Sequence, residues 1–267
     1  DFANQPFTNL VVTFIYGTFF TTVIASNEIE GTQQWSHAVS ITAIIVALLS
    51  PVMGAVADRG GYRKLFMFGF TWLTIISTTV LYFVLPGEVH RALFWFVIAN
   101  VGFEMGSVFC NAYLPDISHS KNIGRISGYG WSLGYVGGLI ALALAMVFLV
   151  NAEVPIFGVG KGEVGAYENI RATNLLVAIW FAIFSIPTFL FVKDRKPDTK
   201  ALFQNVKHTV TDFRTTAKEL KAYPQIMRFL LARLVYNDGL VTIFAFGGIY
   251  AAGTLAFTFD EIMILGI

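Results

Sequence analysis

The chain has 267 residues, 55% of them hydrophobic and only 13% charged, with a net charge of +1 and a mean hydropathy of +0.65. Soluble domains carry about 25% charged residues, so this composition excludes an ordinary water-soluble globular domain, and its near-neutral balance offers no electrostatic footprint for nucleic acid. One cysteine and four scattered histidines (His37, His90, His119 and His208) exclude a disulfide framework within the chain and a thiolate metal cluster. Cys110 reads as a small packing residue, and no metal or cofactor is expected.

A membrane-spanning helix needs about 20 mostly apolar residues. Such runs occur at 6–25, 36–57, 65–86, 92–114, 127–150, 172–192 and 226–252, and an eighth starts near Asp260 and stops at Ile267. The chain begins at Asp1 without Met, so both ends read as cuts through a longer sequence. The first run is not a secretory leader: it lacks a basic start and six further runs follow it. The expected class is an all-α integral membrane bundle, multi-pass.

The loops set the orientation. Basic residues gather at Arg59, Arg63 and Lys64, at Lys121 and Arg125, and between Lys193 and Arg228, whereas the alternate loops hold Arg91, Lys161 and Arg171 among Glu28, Glu30, Glu88, Glu153, Glu163 and Glu168. By the positive-inside rule the N-terminus and the basic loops are cytoplasmic, in a plasma membrane such as the bacterial inner membrane. Within 194–223, Leu202, Val206, Val210, Phe213, Ala217 and Leu220 recur at helical steps with Lys and Arg elsewhere on the wheel. That pattern predicts an amphipathic helix on the inner leaflet, in contact with lipid, or a solvated linker helix. The glycine-rich stretch at 158–162 is not a phosphate loop, because Pro155 and Gly162 stand where a glycine and a hydroxyl are required.

The loop after the second run reads Gly54-Ala-Val-Ala-Asp58-Arg59-Gly60-Gly61-Tyr62-Arg63-Lys64. It resembles the signature G-x-x-x-D-R-x-G-[RK]-[RK]-[RK] of the major facilitator superfamily, with Tyr62 in place of the first basic residue. Further segments, Asp1 to Phe7, Asn111-Ala-Tyr113-Leu-Pro115-Asp116, the stretch from Gly124 to Gly138 and Tyr236-Asn237-Asp238-Gly239, are similar to the vacuole effluxer branch of that superfamily. The resemblance implies a twelve-helix transporter built of two six-helix halves, with amino acids as the solute of the fungal branch. The chain would then hold an N-terminal half (1–193), a cytoplasmic linker (194–223) and the start of the C-terminal half (224–267), its missing partner. Gly54, Asp58, Arg59, Gly61, Arg63 and Lys64 would form the conformational-gating loop. The glycines Gly130, Gly134 and Gly138, at four-residue spacing, are expected to let a second helix approach, either across the halves at the eighth span or within one half.

Polar groups inside spans are costly and mark pathways. Asn100, Glu104, Ser107 and Asn111 fall on one face of the fourth span, with Glu104 near its middle. The first span offers Asn9, Thr13, Tyr16 and Phe20, and the seventh Arg233, Tyr236, Asn237 and Asp238. The first, fourth and seventh spans line the cavity in the superfamily that the chain resembles. Asn9, Tyr16, Asn100, Glu104, Asn111, Arg233, Asn237 and Asp238 are therefore the candidates for solute binding or for proton or other ion coupling. Arg233 and Asp238 lie about 140° apart on the wheel, which leaves Glu104 as a candidate partner for Arg233. Each polar residue also has a plain reading as a bridge between helices. The function expected is secondary active transport of a small solute by alternating access. The alternatives are a sensor on a transporter scaffold and an integral membrane enzyme, although no nucleophile, metal cluster or acid–base pair stands near a membrane face.

Overall fold

The computed structural model describes residues 1–152, 158–192 and 223–266, without the side chains of 55–60, 259, 260 and 263. The amphipathic segment expected at 194–223 lies almost wholly outside the described residues, as do the side chains of Asp58 and Arg59. Among the described residues there is no strand, and seven helices are long and apolar enough to cross a membrane. They are span 1 (Phe7–Ile24), span 2 (Glu28–Gly54), span 3 (Arg63–Leu81), span 4 (Val89–Ile117), span 5 (Ile123–Val150), span 6 (Glu168–Phe191) and span 7 (Pro224–Gly253). The chain is a multi-pass membrane protein. In hydrocarbon each backbone N–H and C=O must find its partner within the protein, which is why every long apolar run is helical.

Span 1 is the centre of the bundle. It touches spans 2, 4, 5, 6 and 7, and Phe7, Leu10, Ile15, Phe19 and Phe20 are fully buried. Its backbone is π-helical over Phe7–Phe14 and Phe20–Ile24, with one α-turn between. The wider winding closes i→i−5 bonds, such as Ile15 N–H to the Leu10 carbonyl at 3.2 Å. Around it, Trp35 at 0% exposure stacks on Phe96 with ring centroids 3.9 Å apart, and Gly17 makes room for the indole: a Cβ there would lie 3.2 Å from it.

Helix association in lipid has little hydrophobic drive and relies on close packing, which small residues permit. Span 3 lies along spans 4 and 6, and Gly102 is the tightest point of the first pair, where a Cβ would meet Thr74 Oγ1 at 2.7 Å and the Phe70 carbonyl at 3.1 Å. The glycines of span 5 face the start of span 1. Gly130 and Gly134 abut Asp1, Gly137 the carbonyl of Phe2, and Gly138 the side chains of Gln5 and Asn9. In the described residues these glycines thus pack against span 1, while the start of the eighth helix reaches span 5 elsewhere, with Gly266 against Leu142 and Phe14.

The two ends of the bundle are distinct. At one, Arg63 pairs with Asp116 at 2.8 Å and Lys64 donates to the Val192 carbonyl at 2.8 Å. At the other, Tyr82 donates to Glu168 at 2.5 Å, Arg171 donates to the Tyr82 carbonyl at 2.7 Å, and Gly87 N–H reaches the Ile24 carbonyl at 3.2 Å. Loops that alternate in sequence therefore collect at opposite ends, as the charge pattern requires. Two outcomes follow. Cysteines replacing Lys121 and Glu88 in a Cys110→Ser background should react with an impermeant maleimide from opposite sides of sealed vesicles; reaction of both from one side contradicts this fold. Gly102→Val should lower unfolding stability by about 1–3 kcal/mol through overpacking, measured by chemical denaturation in detergent, whereas Gly54→Ala, with nothing within 4 Å of the added carbon, should unfold as the parent does.

Candidate functional site

A polar cleft runs between spans 1, 4 and 7, and its shape follows from how span 7 is seated. Near one end Gly248 presses its backbone onto the carbonyl of Thr13, and a Cβ there would also come within 3.0 Å of Thr18 Oγ1. Ala245, Gly248, Ile249 and Ala251 are buried in consequence. One to three turns nearer the basic-loop end, Asn237, Leu240, Val241 and Phe244 face the cleft instead. Glycine thus fixes the closed end of the cleft, and the larger side chains of span 7 line the rest.

The cleft has two connecting chambers. The inner one, about 410 Å³, lies among spans 1, 2, 4 and 7 and is mostly aliphatic, with Val12, Val39, Ala43 and Val46 on its walls. The outer one, about 360 Å³, is polar: Asn4, Gln5, Ser107, Asn111 and Asn237 line it. Thr8, Phe103, Glu104, Val241 and Phe244 belong to both. Glu104 therefore stands at the junction, and its side chain is exposed to the cleft. Among the described residues no hydrogen bond or ion pair engages that carboxyl group.

Span 4 supplies the polar stripe through regular α-helix. Asn100 lines the inner chamber, Glu104 the junction, Ser107 and Asn111 the outer chamber, spread over about 16 Å of helix axis. Asn4 joins span 1 to this stripe by donating to Ser107 Oγ at 3.5 Å. Asn237 of span 7 faces the outer chamber as well.

Four of the residues singled out in the sequence do not line the cleft. Asn9 is 7% exposed and takes a hydrogen bond from Gln5 at 3.5 Å beside Gly138 of span 5. Tyr16 is 1% exposed, packed near Phe19 and Trp35. Both lie on the face of span 1 that also carries Thr13 and Phe20, and all four are buried in the packed core rather than turned to the cleft. Arg233 and Asp238 are exposed on span 7 away from the cleft lining; Arg233 sits a full turn nearer the basic-loop end than Asn237, and it makes no ion pair with Glu104. Conversely, Thr8, Thr42 and Cys110 line the chambers without having been read as site residues. Thr8 follows Asn4 by one turn, which was the available signal.

The basic residues of the signature loop have a defined place. Gly61, at φ 68, makes the left-handed turn that glycine favours. Arg63 donates to the Ala112 carbonyl at 3.4 Å and Lys64 to that of Val192. Each cation thus meets a carbonyl at a helix C-terminus, where positive charge is favoured by about 0.3–1 kcal/mol. Among the described residues no three His, Cys, Asp or Glu side chains gather closely enough to hold a metal ion.

Comparison with known proteins settles the family. Residues 21–267 match the family described as Vacuole effluxer Atg22 like. The chain belongs to that family. It is 26% identical over 261 residues to the uncharacterized MFS-type transporter YxiO of Bacillus subtilis, covering 94% of this chain and 58% of that protein. It is 20% identical over 310 residues to autophagy-related protein 22 of Yarrowia lipolytica, covering 87% and 50%, and 26% identical over 239 residues to an uncharacterized protein of Aquifex aeolicus, covering 88% and 52%. The chain spans about half the length of these curated relatives. No solved structure matches it. The family and its named members are effluxers and transporters, not enzymes.

If the cleft is open as described, Cys110 should be alkylated by a small maleimide in the folded protein. Thr8→Trp, which fills the junction from span 1, should slow that reaction by about tenfold, equivalent to about 1.4 kcal/mol, as followed by mass spectrometry of the Cys110 peptide. An unreactive Cys110 in folded protein would mean a closed cleft.

Proposed function

We propose that this chain is the N-terminal six-helix half (1–193), the cytoplasmic linker (194–223) and the start of the C-terminal half (224–267) of a secondary transporter that moves a small solute by alternating access. The observation that carries this reading is Glu104, a mid-span carboxyl group facing a cleft between spans 1, 4 and 7. A charged group at that depth is costly and is kept where it binds or conducts something. The cleft's closed end is a contact between span 1 and the first helix of the second half, which is the kind of contact that must break when two halves rock. Family membership supports the reading, and amino acids are the solute class that the resemblance implies. The charge pattern supports a plasma-membrane location with the N-terminus and the Arg63–Asp116 end cytoplasmic.

Glu104 is proposed to couple transport to a proton or another ion, because an ionisable group can load in one state and release in the other. In proteoliposomes of the full-length protein, labelled amino acids should show counterflow, which a sensor without transport lacks. Glu104→Gln keeps shape and hydrogen bonding but cannot ionise. It should flatten the pH profile and cut concentrative uptake by about tenfold or more, with folding intact by size-exclusion chromatography. An unchanged initial rate and pH profile would reduce Glu104 to a bridge between helices.

A further inference from the structure

The charge and shape of the cleft restrict what end of a solute it can hold. The lining described here carries the carboxyl group of Glu104 and no Lys, Arg or His side chain. A solute carboxylate placed beside Glu104 would meet like charge, whereas a protonated amine would meet an unpaired carboxyl group. Phe103 and Phe244 line both chambers together with Glu104, and aromatic faces beside an anion suit an organic cation. Beyond them the inner chamber offers about 410 Å³ walled by aliphatic side chains, within the size range of small-molecule pockets.

We propose that this cleft is an ammonium subsite: a protonated primary amine sits on Glu104 between Phe103 and Phe244, and its apolar body fills the chamber formed by Val12, Val39, Ala43 and Val46. The proposal deepens the transport reading and rests on it for the site's purpose. It names the solute's amine end and apolar body as what spans 1, 4 and 7 recognise, and gives these walls no part in holding a carboxylate.

The test reads occupancy rather than transport. Cys110 lines the outer chamber, so a ligand at the junction should shield it. In full-length protein, the alkylation rate of Cys110 by N-ethylmaleimide is measured by mass spectrometry with phenethylammonium, methylammonium or the near-isosteric phenylpropionate added. Phenethylammonium at ten times its dissociation constant should slow alkylation by about tenfold. Phenylpropionate should have no effect, and methylammonium should protect only at much higher concentration. Glu104→Gln should remove the protection. Ala43→Trp, which fills the inner chamber, should remove protection by phenethylammonium and spare that by methylammonium, so that the proposal stays testable if the first variant fails to fold. Equal protection by phenylpropionate, persistence of protection in Glu104→Gln, or no protection by either amine would overturn it. Any of these with amino-acid counterflow intact would reject the ammonium subsite and leave the transport reading standing.

Discussion

The bundle is organised by the burial of span 1, a helix that has to satisfy its own backbone inside hydrocarbon while five other helices press against it. Because the hydrophobic effect contributes little between helices in lipid, contact depends on how closely backbones can approach. Glycine supplies that approach where span 1 meets spans 2, 5 and 7: Gly17 beneath the Trp35 ring, Gly31 against Thr21 and Ala25, Gly138 at Asn9, and Gly248 at Thr13. The π-helical winding of Phe7–Phe14 belongs to the same solution. Its i→i−5 bonds, such as Ile15 N–H to the Leu10 carbonyl, stay within the span.

The cleft is the consequence of an uneven seat. Span 7 meets span 1 backbone to backbone at Gly248 and presents larger side chains, from Phe244 back to Asn237, along the cleft. A void is tolerated there because span 4 turns a polar stripe toward it, and polar walls can be wetted where an aliphatic void simply loses contacts. The aliphatic inner chamber is the exception. It lies beside the carboxyl group of Glu104.

Side-chain contacts tie neighbouring helices together at both ends of the bundle. Arg63 and Lys64 tie the turn at Gly61 to the C-termini of spans 4 and 6, and on the opposite face Arg171 and Glu168 hold the end of span 3 through Tyr82. These contacts lie among spans 2 to 6 and none involves span 7.

The amino-acid sequence alone determined the class of the molecule: seven apolar runs and alternating loop charges left no alternative to a membrane bundle with these crossings, because hydrocarbon thickness and the cost of burying charge leave few options. It also determined the span 4 stripe, since Asn100, Glu104, Ser107 and Asn111 sit on a regular α-helix whose period is known in advance. Which face of span 1 meets the cleft was decided by tertiary structure. Asn9 and Tyr16 point into the packed core, and Asn4, Thr8 and Val12 reach the cleft, because which face of a helix meets the core is decided by neighbours that a local pattern does not contain. The same holds for what the span 5 glycines meet among the described residues, which is span 1 and the residues just before it, and for Arg233, whose distance from Glu104 depends on where span 7 crosses. Local periodicity is written in the chain; the angle at which two helices cross is set by side chains on both of them at once.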